Sequence, residues 1–171
     1  MALFLLWAQL RYRRTEAADR RVAQAQLVSA WLDRVVPPSE PAVDYAPYTI
    51  VVFVRNGSAE PVYNVNMKLD VGVRGSFLRR PGALGPGEMR EFAIIAPGYP
   101  RGIPRPEISF VDSAGQKWLR LGEGQLKAPT QGQLDAFLRE SPGAYTSIEA
   151  HPTLNLGWTP EANHGKSLSK P

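Results

Sequence analysis

The chain has no cysteine among its 171 residues. This absence excludes disulfide scaffolds, thiolate zinc sites, iron–sulfur clusters and cysteine nucleophiles. Histidine is nearly absent too: His151 and His164 lie thirteen residues apart near the end of the chain, without carboxylates at ligand spacing. We therefore expect no metal centre, no cofactor and no histidine-based catalytic site, and we predict a protein that is not an enzyme.

The excess of positive charge is small and spread along the chain. The net charge is +4, and residues 47–127 carry eleven basic and seven acidic side chains. Arginine outnumbers lysine fifteen to five beside much alanine, glycine and proline, which is typical of a high-GC coding sequence. Since nucleic-acid binding needs a clustered basic surface, we do not expect nucleic acid as a partner.

The first segment is the one long apolar run, and it ends in arginine. Residues 2–10 (ALFLLWAQL) are followed by RYRR, and we call residues 2–14 the leader segment. A membrane-spanning helix needs about 20 apolar residues, so this run is too short to span. A secretory signal places positive charge before the apolar run, whereas here it follows.

The leader segment has two interpretations. In the first it contacts a membrane surface or a membrane protein, with the arginines at anionic headgroups. The residues predicted to make this contact are Leu3, Phe4, Leu6, Trp7, Arg11, Arg13 and Arg14. In the second it is an amphipathic segment that docks on its own domain or on a partner. If the run ends a longer span that begins before Met1, the positive-inside rule places the following domain in the cytoplasm.

Helical periodicity continues beyond the leader segment. Neither proline nor glycine occurs before Pro37, and apolar residues recur at steps of three and four. These residues are Ala18, Val22, Ala25, Val28, Leu32 and Val35. The pattern predicts one long N-terminal α-helix over residues 1–36, either membrane-proximal or an amphipathic stalk, followed by a proline-rich linker over 37–47.

After the linker the period changes to two. Alternating or β-branched runs predict strands at 48–55, 62–73, 76–79, 90–95, 107–112 and 117–121. The first of these is apolar on both faces, which indicates a central strand. Short strands separated by turn residues favour a mainly β fold, an antiparallel β-sandwich of the immunoglobulin-like type over 48–127. Residues 128–171 are a C-terminal extension, with helical turns at 131–139 and disorder toward the end.

Several short motifs carry a resemblance to known proteins. The segment 54–58 (VRNGS), the segment 61–65 (PVYNV) and the turn 84–88 (LGPGE) resemble a recurrent bacterial immunoglobulin-like pattern. The segment 110–120 (FVDSAGQKWLR) is similar to uncharacterised actinobacterial proteins in which a transmembrane helix precedes the sandwich. The resemblance implies a cell-adhesion-related spacer or binding module and supplies no catalytic residue.

The sequence thus predicts a non-catalytic, membrane-associated or peripheral accessory module that acts through protein contacts. The alternative is a soluble β-sandwich that binds a glycan or nucleic acid through an aromatic and arginine surface at Trp118 and Arg120. That alternative needs exposed rings at Trp118, Tyr63 or Tyr99. Trp118 has a structural interpretation as well, because a tryptophan on a short strand also fills the core of a sandwich.

Overall fold

The computed structural model describes residues 2–38, 47–71, 76–97, 102–139 and 147–148. The elements are α1 (Ala2–Gln26), β1 (Val28–Val36), β2 (Pro47–Asn56), β3 (Val62–Asp70), β4 (Ser76–Leu84), β5 (Met89–Pro97), β6 (Pro106–Val111), β7 (Lys117–Arg120), β8 (Leu126–Lys127), α2 (Gln131–Leu138) and β9 (Ser147–Ile148). The fold is mainly β with an N-terminal helix. Most of the predicted linker and nearly all of the predicted disorder lie outside the described residues.

Two antiparallel sheets form the β body, which comprises strands β1 to β9. The first sheet has the order β1-β2-β5-β9, and the second has the order β4-β3-β6-β7-β8. Alternate side chains of both sheets meet in a shared hydrophobic core, which includes Val52 and Ile94 from the first sheet and Met67 and Phe110 from the second. The period-two alternation along each strand is what turns these side chains to one side.

The prediction of a helix over residues 1–36 is wrong beyond Gln26, because residues 28–36 form strand β1. β1 pairs with β2, and the register shifts between Leu32 and Arg34. This bulge inserts one extra residue into the two-residue repeat of the strand. The core-facing Leu32 and Val35 are therefore three residues apart, which is also the spacing expected on one face of a helix. Pairing with an otherwise open edge of β2 outweighs the helix propensity of the segment.

The main predicted strands are confirmed. β2 has a paired neighbour on each side, as its two apolar faces indicate. The short helix expected at 131–139 is present as α2, whose first turn carries a capping box between Thr130 and Gln133. β4 is longer than expected and continues through Pro81 and Gly82, which an edge strand tolerates because one side needs no ladder hydrogen bonds.

A buried amide joins the end of β2 to the end of β4. The side-chain nitrogen of Asn56 donates to the carbonyls of Glu60, Leu84 and Gly85 at 2.8–3.1 Å. Its side-chain oxygen accepts hydrogen bonds from the amide and hydroxyl of Ser58. In the described part of the chain only Asn64 is a non-glycine residue with positive φ, so Asn56 holds this turn through its side chain and not through a left-handed backbone.

Candidate functional site

The leader segment projects from the β body as part of α1. Every side chain from Phe4 to Ala23 is exposed, with Phe4 at 69% and Trp7 at 57% of full exposure. Leu3 lies in the first turn of the same helix. Arg11, Arg13 and Arg14 are all exposed, so the predicted contact residues with described side chains share one solvated helix end.

The leader segment changes character along the helix axis rather than around it. Residues 2–10 are apolar on every side of the helix except at Gln9, and they extend for about 13 Å. The guanidinium of Arg11 lies 5.3 Å from the centroid of the Trp7 ring, which is a cation–π distance. Trp7 and Arg11 therefore mark the boundary between the apolar end and the charged part.

No helix within the described ranges combines the length and the apolarity needed to cross a bilayer.

The opposite end of α1 is fixed to the β body through Arg120. One guanidinium nitrogen of Arg120 donates to the carbonyls of Gln26 and Ala25 at 2.8 and 3.3 Å, and the other donates to Gly124. Burial lowers the pKa of Arg120, and its Nε atom is buried without a partner in the described structure. The amide of Gly57 adds a hydrogen bond of 3.0 Å to the carbonyl of Leu27. The helix thus leaves the body from a defined point.

The structure does not present Trp118 and Arg120 as an exposed ligand surface. Trp118 is only 7% exposed, and its indole N–H donates to Oδ2 of Asp112 at 2.9 Å. The side chain of Trp118 belongs to the core, as its structural interpretation predicts, so Trp118 does not supply the exposed ring that the alternative needs, and Arg120 is engaged with α1. Tyr63 is 45% exposed, whereas Tyr99 lies outside the described residues.

Sequence reasoning missed a cleft of about 380 Å³ between α2 and the outward face of the second sheet. Its lining combines two cations, three polar side chains and an apolar wall. The cations are Arg80 and Lys117, the polar residues are Asn64, Asn66 and Ser109, and the wall is formed by Leu134 and Leu138 of α2. We refer to this feature as the α2 cleft.

The floor of the α2 cleft is irregular β structure. Asn64 has φ of 48°, and the register of β3 shifts here against both β4 and β6. The side-chain amide of Asn66 donates to the carbonyl of Asn64 at 2.7 Å and to the hydroxyl of Ser109 at 3.3 Å. Asparagine tolerates this left-handed conformation better than most residues. The closely spaced Asn64 and Asn66 were the available sequence signal, but they fit an ordinary exposed strand face equally well.

Neither site has the character of a metal centre. Within the described ranges no three His, Cys, Asp or Glu side chains cluster closely enough to hold an ion. His151 and His164 lie outside those ranges.

Comparison with protein-family models, curated proteins and solved structures gave no match for this chain. The exposed end of α1 and the α2 cleft are therefore the features from which function is inferred.

Proposed function

We propose that this protein is a non-catalytic, membrane-associated accessory module whose leader segment attaches the β body to a membrane surface. The observation that carries the proposal is the exposure of every side chain of α1 from Phe4 to Ala23, including those of the apolar end. An isolated helix is only marginally stable in water. A surface that covers the apolar end stabilises both the helix and the attachment.

The energies favour reversible attachment. Burying each large apolar side chain of the leader segment contributes roughly 1.5–3 kcal/mol before ordering costs. Each arginine near an anionic surface adds about 1 kcal/mol. Arg11, Arg13 and Arg14 together therefore make the attachment depend on both lipid charge and ionic strength.

The distribution of residues favours insertion of the helix by its end. The apolar end extends for about 13 Å, which is roughly half of a hydrocarbon core of about 30 Å. Because Gln9 is the one polar residue among residues 2–10, this end has no continuous polar face to turn toward water if the helix lies flat on the membrane. In this arrangement Trp7 and Tyr12 lie at the depth of the headgroups, and attraction of the three arginines to anionic lipids of the cytoplasmic leaflet favours a cytoplasmic location of the β body.

We also propose that the β body is an immunoglobulin-like sandwich. That fold places its first, second and fifth strands in one sheet and its third, sixth and seventh strands in the other. Here β1, β2 and β5 are neighbours in one sheet and β3, β6 and β7 in the other, which supports the proposal. β4 departs from the constant-domain arrangement by pairing with β3. Amide–amide contacts by NMR between β1 and β2 and between β3 and β6 test the strand order.

Vesicle flotation of the full chain tests the attachment. We expect the protein to float with vesicles of phosphatidylcholine and phosphatidylglycerol, and less with phosphatidylcholine alone. The variant Leu5→Glu/Leu6→Glu should remain in the dense fractions. The control Ala17→Glu/Ala18→Glu adds the same charge to exposed positions of the same helix and should float.

Two results would overturn the membrane proposal. One is failure of the unmodified chain to float with either vesicle, including the case in which it binds only a solubilised membrane protein. The other is flotation of Leu5→Glu/Leu6→Glu equal to that of the unmodified chain. Circular dichroism of each variant separates loss of attachment from loss of the β body.

A further inference from the structure

We propose that the α2 cleft binds a small anionic molecule, a carboxylate or a phosphate ester that also carries a short apolar group. This site is separate from the leader segment, and its occupancy does not depend on membrane attachment. The proposal combines three features of the lining: its charge, its hydrogen-bond donors and its apolar wall.

The charge of the lining selects an anion. Lys117 lines the α2 cleft, and no carboxylate is among the described lining residues. Lys117 donates to the neutral amide oxygen of Gln131 at 3.1 Å, so its charge is not neutralised by this partner. An ammonium group has three donors, and a carboxylate or phosphate accepts them in charge-assisted hydrogen bonds.

A buried hydroxyl supplies the neutral donor. Ser109 is 1% exposed, and its Oγ accepts the hydrogen bond from Asn66. A serine hydroxyl both donates and accepts, so Ser109 retains its hydrogen for an acceptor in the α2 cleft. Asn66 is held by the carbonyl of Asn64 in turn. The left-handed conformation of Asn64 therefore positions this polar floor, and such backbone conformations concentrate at ligand sites.

The leucine wall and the volume of the α2 cleft favour a ligand with a short apolar group beside its anionic group. Leu134 and Leu138 present apolar surface from α2. A cleft of about 380 Å³ lies near the lower end of the usual range for small-molecule sites. The space fits one ring or a short acyl chain beside the anionic group. A ligand with both parts uses Lys117 and the leucines together.

Titration of the ¹⁵N-labelled full chain with phenyl phosphate and with hexanoate tests the proposal. We expect saturable shifts of the Ser109 and Leu134 amide signals. The neutral analogues phenol and hexanamide, and inorganic phosphate without an apolar group, should bind at least ten-fold more weakly. Lys117→Gln should weaken the binding of phenyl phosphate by about ten-fold, whereas the control Lys127→Gln, on β8 outside the cleft lining, should leave it unchanged.

Three outcomes would overturn the proposal. The first is the absence of saturable shifts with both anionic probes. The second is binding of phenol or inorganic phosphate as tight as that of phenyl phosphate. The third is equal loss in Lys117→Gln and Lys127→Gln, which indicates nonspecific attraction to basic residues. A second titration uses vesicles of phosphatidylglycerol. If only the amide signals of the α2 cleft shift, a lipid headgroup is the source of the anion. If only the amide signals of α1 shift, the vesicles contact the leader segment alone.

Discussion

Arg120 donates a hydrogen bond of 2.8 Å to the main-chain carbonyl of Gln26, 94 residues earlier in the chain. The contact joins the short strand β7 to the last turn of α1. Cations are favourable at helix C-termini, where carbonyls lack intrahelical partners. The projecting helix is therefore fixed at its base by a residue that the sequence suggested as part of a ligand surface.

Replacing Arg120 should weaken the attachment of the last turn of α1 to the β body. We expect Arg120→Met to lower the free energy of unfolding by about 2 kcal/mol, because the carbonyls of Ala25, Gln26 and Gly124 lose a charged donor. Trypsin should also cleave the variant faster in α1. Arg105→Met is the matched control, since the exposed pair of Arg105 with Glu123 at 3.5 Å contributes little. Equal urea midpoints for the two variants would contradict the assigned role.

The buried side-chain amide of Asn56 should contribute strongly to the free energy of unfolding. Asn56→Asp keeps an acceptor for Ser58 but removes the donors to three carbonyls, so we expect a loss on the order of 3 kcal/mol in urea unfolding. Ser58→Ala keeps those donors and should cost about 1 kcal/mol. A smaller loss for Asn56→Asp than for Ser58→Ala would contradict this account.

Two glycines provide a matched pair of alanine substitutions. A Cβ on Gly122 would lie 2.6 Å from the Cβ of Arg105, whereas a Cβ on Gly132 meets nothing within 4 Å. We expect Gly122→Ala to destabilise the protein by about 1–3 kcal/mol, because the two strand ends must separate. Gly132→Ala lies in α2 and should stabilise it by about 0.5–1 kcal/mol. Thermal unfolding of both variants measures the difference, and shifts of the same sign would refute it.

Glu88 should make stability fall in acid. The main-chain N–H of Gly85 holds the pKa of Glu88 below its ordinary value of 4.5; Arg90 acts in the same direction and desolvation opposes both. Because the folded-state pKa is the lower one, the contribution is complete above 4.5 and is lost as the pH falls through the folded-state value. Urea unfolding of Glu88→Gln between about pH 6 and pH 3 should show a shallower acid decline than that of the unmodified chain. Parallel curves would contradict the prediction.

The strands were predictable because their signal is local. β3 alternates from Val65 to Asp70, and β2 is apolar on both faces, so the period alone identifies each as a strand of a β fold. The capping box of α2 is equally local, since Thr130 and Gln133 satisfy each other's main-chain groups. Such features do not depend on which element packs beside them.

β1 and the α2 cleft were not predictable for the opposite reason. The segment 28–36 has both helical and extended periodicity, and only the open edge of β2 selects the strand. The cleft brings together Asn66, Ser109 and Leu134 from separate elements. The spacing of these three residues in the sequence does not indicate that they lie close together, because their proximity arises from the packing of α2 on the second sheet.

The sequence by itself determined that this chain is mainly β, that its first residues are apolar and bordered by arginine, and that cysteine chemistry is excluded. These properties follow from residue type and from period along one segment. Tertiary structure decided where α1 ends, that Trp118 is buried while Arg120 holds the helix, and that polar side chains meet at the α2 cleft. Each of these depends on contacts between distant segments, and the free energy of such contacts exceeds the weak local preferences that a sequence pattern reports.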